Sequence, residues 1–206
     1  MSNLNILEKT KEKYLGYEKR HHEILDAAIR IFNAKGYTAA TTAEIAKEAG
    51  VSEPVMYKHY HSKPELFVAC FQSIGEELLT SYREVYKNNI DNEVGYLEGV
   101  SRVYIDFVEG NPHKSMFLVH LLSYRDKPEF ERVFMDFMES SVEGVRRVIA
   151  SAQKKGIIKS KINDRILAGF FVNQYFTVVA LKELGISQPV MNETIVEIVH
   201  NMMKIE

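Results

Sequence analysis

At 206 residues, 46% hydrophobic and 26% charged, the chain can bury a real core, which excludes disordered and fibrous classes. A formal net charge of −2 argues on its own against a nucleic-acid partner, and one cysteine, Cys70, excludes a disulfide framework and suits a reducing cytoplasm. No apolar run approaches the ~20 residues that span a bilayer, and the opening MSNLNILEKTKEKYLGYEKR reads as a polar arm of mixed charge, not a signal peptide. The charge is unevenly spread. Residues 1–64 hold ten Lys and Arg against eight Asp and Glu, while the remainder holds 16 against 20.

After the arm, taken as residues 1–17, the spacing of Ile24, Leu25, Ala28, Ile31 and Phe32 predicts a helix from about Glu18 to Lys35, stopped at Gly36. Its basic start, Lys19, Arg20, His21 and His22, is either a solvated end or a phosphate contact, with Arg20 the residue taken forward. The stretch from Thr41 to Lys63, TTAEIAKEAGVSEPVMYKHYHSK, carries the strongest local signals. Thr41 and Glu44 have capping-box spacing, and Ile45, Ala46 and Ala49 form one small apolar stripe. Gly50 sits where a helix closes in a left-handed residue, followed by Val51 as the hinge contact. Ser52 then caps a second helix with Pro54 in its first turn. Ser62 and Glu65 repeat the box and open a third.

Two short helices around a glycine-containing turn match the helix-turn-helix, whose second helix enters the DNA major groove. At this point the sequence resembles the tetracycline-repressor (TetR) family of bacterial transcription regulators. The resemblance runs over about residues 18–78. It rests on Ile24-Leu25, Ala27-Ala28, Phe32, Gly36-Tyr37, Thr41-Thr42, Ile45-Ala46, Ala49-Gly50-Val51-Ser52, Tyr57, His59, Ser62-Lys63 and Leu66. Glu53, Val55, Met56 and Tyr60 depart from the family pattern; Met56 and Tyr60 are packing-type changes, whereas Glu53 and Val55 bear on which DNA sequence is read. The expected organisation is a DNA-binding domain over 18–75, with the helix-turn-helix at 41–60, and a ligand-binding and dimerisation domain over 76–206.

Affinity for a duplex comes mostly from phosphate contacts and specificity from base edges. Lys63, at a positive helix start, is the expected phosphate ligand. The resemblance carries Tyr57 and His59 over as backbone contacts, and Thr42 and Ala43 lie at the start of the first motif helix. Lys58 is the base-edge candidate for guanine, and Val55 offers methyl groups to thymine. Glu53 has two readings: a helix-dipole partner in a first turn, or an acceptor for cytosine N4.

Beyond Lys63 the periodicity stays helical. Glu65 to about Asn89 forms one long helix with Leu66, Phe67, Cys70, Ile74, Leu78 and Leu79 inside, and the domain boundary falls within it near Ser73–Glu76. Further helices follow to Gly110, from Asn111-Pro112, from a turn at Arg125–Pro128 to Gly156, from Asp164 to Leu184, and from Ser187 on. The expected fold is all-α, with about nine helices and no strand-like alternation.

The stretch DRILAGFFVNQYFTVVALKEL is apolar nearly all round and must be buried on every side. A second copy of the chain is the natural cover. The resemblance implies the same homodimer, a four-helix bundle of the last two helices, with Phe171, Tyr175, Val178, Ile195, Val199 and Met202 at the interface. The family's C-terminal half also encloses a small-molecule pocket. Here the residues assigned to it are Tyr82, Tyr104, Phe107, Phe117, His120, Phe134, Phe137, Phe170, Asn173 and Gln174. Asn173, Gln174 and His120 stand amid apolar helix and need polar partners, from a ligand, a water or the dimer mate.

No nucleophile elbow, zincin helix, phosphate loop or paired-cysteine motif appears, so neither catalysis, a metal nor a cofactor is expected. His22-Glu23 lacks the second histidine of the zincin pattern, and His59-x-His61 lacks acidic or cysteine partners nearby. The reading is a cytoplasmic bacterial DNA-binding regulator, most simply a repressor released from a palindromic operator by a small, largely apolar ligand. The alternative is a DNA-binding factor with no small-molecule inducer.

Overall fold

The computed structural model describes the backbone of residues 2–124 and 127–204, and side chains over 16–124, 127–198 and 200–201. Among these residues there are nine α-helices and no strand. They fall into two compact units, residues 1–72 and 73–206. No described helix is long and apolar enough to cross a membrane.

In the first unit, helix α1 (Ser2–Ala39) starts well before Glu18, so the polar arm continues the helix. Its Leu-, Glu- and Lys-rich sequence consists of good helix formers. Gly36, at φ 75° and ψ 161°, breaks the helical path, a conformation that costs glycine little. The capping box at α2 (Thr42–Glu48) is complete, with Thr41 and Glu44 each satisfying the other's backbone. Gly50 has φ 67° and donates to Lys47 O, while Val51 N donates to Ala46 O at 2.9 Å. This is the paired hydrogen bonding of a Schellman turn.

Two expected caps differ. Ser52 takes the extended N-cap backbone before α3 (Glu53–His59), but its side chain makes no capping bond. At the start of α4 (Lys63–Asn88), Ser62 Oγ accepts from Glu65 N as expected. The Glu65 carboxylate, however, reaches His61 N, one residue before the amide a closed box requires. Ile24, Ile45, Met56, Leu66 and Phe67 are almost wholly buried in this unit. Cys70 is buried too, its thiol toward Leu25 O, and burial holds the thiol well above its ordinary pKa.

The second unit contains the rest of α4, then α5 (Glu93–Gly110), α6 (Pro112–Leu121), a short 3-10 turn (Leu122–Tyr124), α7 (Pro128–Lys154), α8 (Asp164–Glu183) and α9 (Gln188–Lys204). The turn expected at 125–128 includes Arg125 and Asp126, which lie outside the described residues. Helix α5 packs on α7, α8 and α9, and α7 packs along α8. Lys182 Nζ donates to Val108 O at 2.8 Å and so serves a carbonyl at the end of α5.

Helix α8 has two apolar faces. Phe171, Tyr175 and Val178 point into the chain's own core, with Ile195 of α9. They were expected at an interface between copies, but burial within one chain removes them from any such surface. Val199 and Met202 lie outside the described side chains. The outward face of α8 carries Ile166 and Phe170, 56% and 65% exposed, followed by Asn173, Thr177 and Ala180. Val190 and Ile198 are the exposed apolar residues of α9.

Gly99 of α5 faces Val85 of α4, and an added Cβ there would meet Val85 Cγ1 at 2.5 Å. Gly144, on α7, has open space around it. Gly144→Ala should therefore stabilise the protein by about 0.5–1 kcal/mol, the usual helical gain. Gly99→Ala should instead destabilise it by about 1–3 kcal/mol through overpacking. Urea unfolding of both variants against the parent measures the contrast; equal gains would show that α4 and α5 separate freely.

Candidate functional site

Helices α2 and α3 are tied by a short chain of hydroxyls. Tyr57 OH donates to Thr42 Oγ1 at 3.2 Å, and Thr42 Oγ1 donates to the Glu53 carboxylate. Glu53 is therefore not simply an acid at a helix start, since it holds the first residue of α2 against the first turn of α3. Ala43, Tyr57 and Lys58 are exposed, Thr42 and Val55 half-buried. Lys58 makes no ion pair among the described residues. Lys63 is committed within its own unit: Nζ donates to Ala40 O at 2.7 Å and Thr38 O at 3.2 Å, and lies 4.7 Å from the Tyr37 ring centre. It fastens the start of α4 to the end of α1. Arg20 is exposed near Glu23 at 3.9 Å.

In the second unit a cavity of about 520 Å³ opens between the later turns of α4, α5 and α7. Its walls are largely phenolic: Tyr82 and Tyr104 meet edge to face at 5.7 Å between ring centres, and Tyr86 and Tyr96 at 5.9 Å. Burial pushes the Tyr82 and Tyr104 hydroxyls well above the ordinary phenol range, so both stay neutral. Glu93 is the carboxylate on the lining. Lys155 at 2.6 Å and the Ser151 hydroxyl at 2.8 Å hold its pKa down to about 2.

Of the ten residues expected to line a pocket, Tyr82 and Tyr104 do so. Phe107, Phe117 and Phe134 are buried elsewhere in the core, Phe137 packs on Gly75, and His120 is half-buried away from this cavity. Phe170 faces outward. Gln174 has its partner inside the chain, accepting from Ser101 Oγ at 2.7 Å. Exposed Asn173 bonds to its own helix at Gly169 O. Large aromatics filled the core, and the space opened where the chain is small. Ser140, Ser141 and Gly144 share a face of α7, and this run of small residues is the signal that the aromatic-led reading passed over.

Comparison with known proteins fits the first unit directly. Residues 24–70 match the model of bacterial regulatory proteins of the tetR family. The likeness to that family thus lies in the first unit. The HTH-type transcriptional activator FasR of Mycolicibacterium smegmatis is 37% identical over 92 residues, which span 45% of this chain and 42% of that protein. The nucleoid occlusion factor SlmA of Actinobacillus pleuropneumoniae is 29% identical over 160 residues, 76% of this chain and 77% of that one. FadR of Bacillus subtilis, solved in complex with stearoyl-CoA, shares the fold at a TM-score of 0.73 and 14% identity, covering 88% of this chain and 98% of that one. The first unit is thus similar to the matched segment of bacterial regulatory proteins, and the whole chain shares its fold with FadR.

One feature of the first unit was not foreseen in the sequence. Tyr17 and His59 stack at 4.3 Å, His21 stacks on Tyr60 at 4.8 Å, and Tyr60 OH bonds to the His21 ring. His59 Nδ1 is buried without a partner among the described residues. Burial lowers the pKa of both imidazoles from 6.5; Arg20 and His21 add to this at His59, while at His21 Glu18 opposes it and His22 adds to it. A histidine held neutral stabilises the fold above its unfolded pKa and loses that contribution as pH falls through it. Stability should therefore drop between pH 7.5 and 5.5, above the range where Glu93 and Glu143, both held near 2, begin to protonate. Urea titrations at the two pH values should show a smaller drop in His21→Asn/His59→Asn; an unchanged drop would place its origin elsewhere.

Proposed function

We propose that the chain is a dimeric regulator of a palindromic operator, most simply a repressor, released when a small ligand occupies the α4–α5–α7 cavity. The observation that carries this reading is the position of α4. The helix that begins at Lys63, directly after α3, goes on to line the cavity with Leu79, Tyr82 and Tyr86. A ligand that binds one setting of α4 better than another shifts the population toward it, and hence the spacing of the paired recognition helices, which B-DNA sets at about 34–36 Å or a multiple. FadR, whose structure holds stearoyl-CoA, supports ligand control.

In this reading Thr42, Ala43, Val55, Tyr57 and Lys58 face the duplex. Glu53 orders the first and fourth of them, and Lys63 and His59 support the surface from within. The dimer uses the outward stripe of α8, with Ile166 and Phe170, and that of α9, with Val190 and Ile198. The similarity to SlmA favours a second reading, control by a protein partner, and an operator affinity unmoved by any cavity ligand would point to it.

Selection of duplexes from a random pool at two salt concentrations tests the proposal. It should return a palindrome with a steep salt slope; no preference over bulk DNA would end it. Lys58→Ala should weaken operator binding by about 1–3 kcal/mol. Relaxed preference at one base pair marks a base contact; a salt slope lower by about one marks a phosphate. Unchanged affinity removes Lys58 from the interface. Phe170→Asp should leave the helical content intact and convert the dimer to monomer in sedimentation, with operator affinity falling alongside. A Phe170→Asp dimer would locate the interface on another face.

A further inference from the structure

The cavity carries more chemical information than its volume. Its lining includes three cations, Arg83, Lys87 and Arg147, and one carboxylate, Glu93. The carboxylate is already matched by Lys155. Arg147 pairs with Glu143 at 3.2 Å, whereas Arg83 and Lys87, one turn apart on α4, are exposed and make no ion pair among the described residues. A cationic ligand would meet these like charges, and Glu93 has no free charge with which to offset them.

At depth lies a second unmet group. Ser141 is 7% exposed, lines the cavity, and its Oγ has no hydrogen-bond partner among the described residues. A helical serine ordinarily donates to the carbonyl four residues back. Thr80, Ser81 and Ser115 all do so here. Ser141 does not, and a buried hydroxyl without a partner is destabilising. Between the cationic mouth and this hydroxyl run the faces of Tyr82, Tyr96 and Tyr104, with Val100 and Val145, which suit an apolar body.

We propose that the ligand is an anionic amphiphile: an acidic head on Arg83 and Lys87, an apolar chain or ring system among the tyrosines, and a polar atom near its far end bonded to Ser141. The inference rests on the ligand-released reading given above but adds the ligand's charge and polarity. A carboxylate and a phosphate ester both supply the head. The 520 Å³ volume lies within the 300–1,000 Å³ range of small-molecule sites.

Titration calorimetry of the full-length dimer, below the critical micelle concentrations, compares dodecanoate, dodecyl phosphate, dodecanol and dodecyltrimethylammonium, with 12-hydroxydodecanoate as the probe of the Ser141 end. The two anions should bind about tenfold or more tightly than the alcohol, and the ammonium weakest. Tighter binding of the phosphate than the carboxylate would assign the head to a phosphate ester, the reverse order to a carboxylic acid. Arg83→Ala/Lys87→Ala should bring the anions down to the alcohol's affinity while leaving the alcohol unchanged. Ser141→Ala should erase any advantage of 12-hydroxydodecanoate over dodecanoate. Alcohol binding equal to that of the acid, or acid binding unaffected by the double substitution, would overturn the proposal. Operator affinity measured in parallel separates the two claims. Charge-dependent binding without DNA release would refute ligand control and leave the ligand class standing; release by the alcohol alone would do the reverse.

Discussion

The continuity of α4 is the constraint on which the rest of the chain depends. Its 26 residues form an unbroken ladder of backbone hydrogen bonds about 39 Å long. Leu66, Phe67 and Cys70 are buried near its start, and Ile74 and Leu78 further along. Neither Gly75 nor any other residue interrupts it. A flexible linker in this position would let a ligand be bound in one unit without consequence for the other. In the proposed regulator, an unbroken α4 is the element through which ligand binding would reach the first unit.

What the sequence made legible was local. The Thr41–Glu44 box, the Gly50 turn and Pro54 each depend on residues within five positions of one another, so their geometry follows from backbone sterics and capping. The same rules misjudged Ser52 and the carboxylate of Glu65, because more than one amide lies within reach at a helix start. The cavity was much less legible. Its lining joins four tyrosines of α4 and α5 to the small Ser140, Ser141 and Gly144 of α7, a difference in bulk between helices. No pattern within one helix encodes that difference. Aromatic residues were the obvious guide, yet Phe107, Phe117 and Phe134 fill the core instead of enclosing space.

Helix α8 shows a related limit. A stretch that is apolar on all sides announces burial but not by what. Phe171 and Phe170 are adjacent, chemically identical, and face opposite ways, 2% and 65% exposed. The choice between them is made by α5 and α7, which pack on α8 from one side, and by Ser101, which takes the Gln174 amide out of contention as an interface group. Only with the chain's own core assigned does the remaining stripe identify itself as surface that a partner would cover.

Glu53 gains meaning from the same kind of accounting. A carboxylate in a first helical turn is worth at most about 1 kcal/mol through the dipole, which would hardly justify a negative charge on a surface meant for phosphate. In the fold, Glu53 accepts the proton of Thr42, and Thr42 accepts that of Tyr57. Both hydroxyl donors are thus occupied within the protein before any duplex arrives. For the proposed regulator, an arbitrary stretch of DNA must break that chain and tolerate the nearby carboxylate. A sequence that presents a donor to Glu53 satisfies the acid and frees the two hydroxyls for the backbone. Under the proposal the acid would lower affinity for every duplex and lower it least for the matching one, and discrimination of this kind comes from an unfavourable element as much as from a favourable contact.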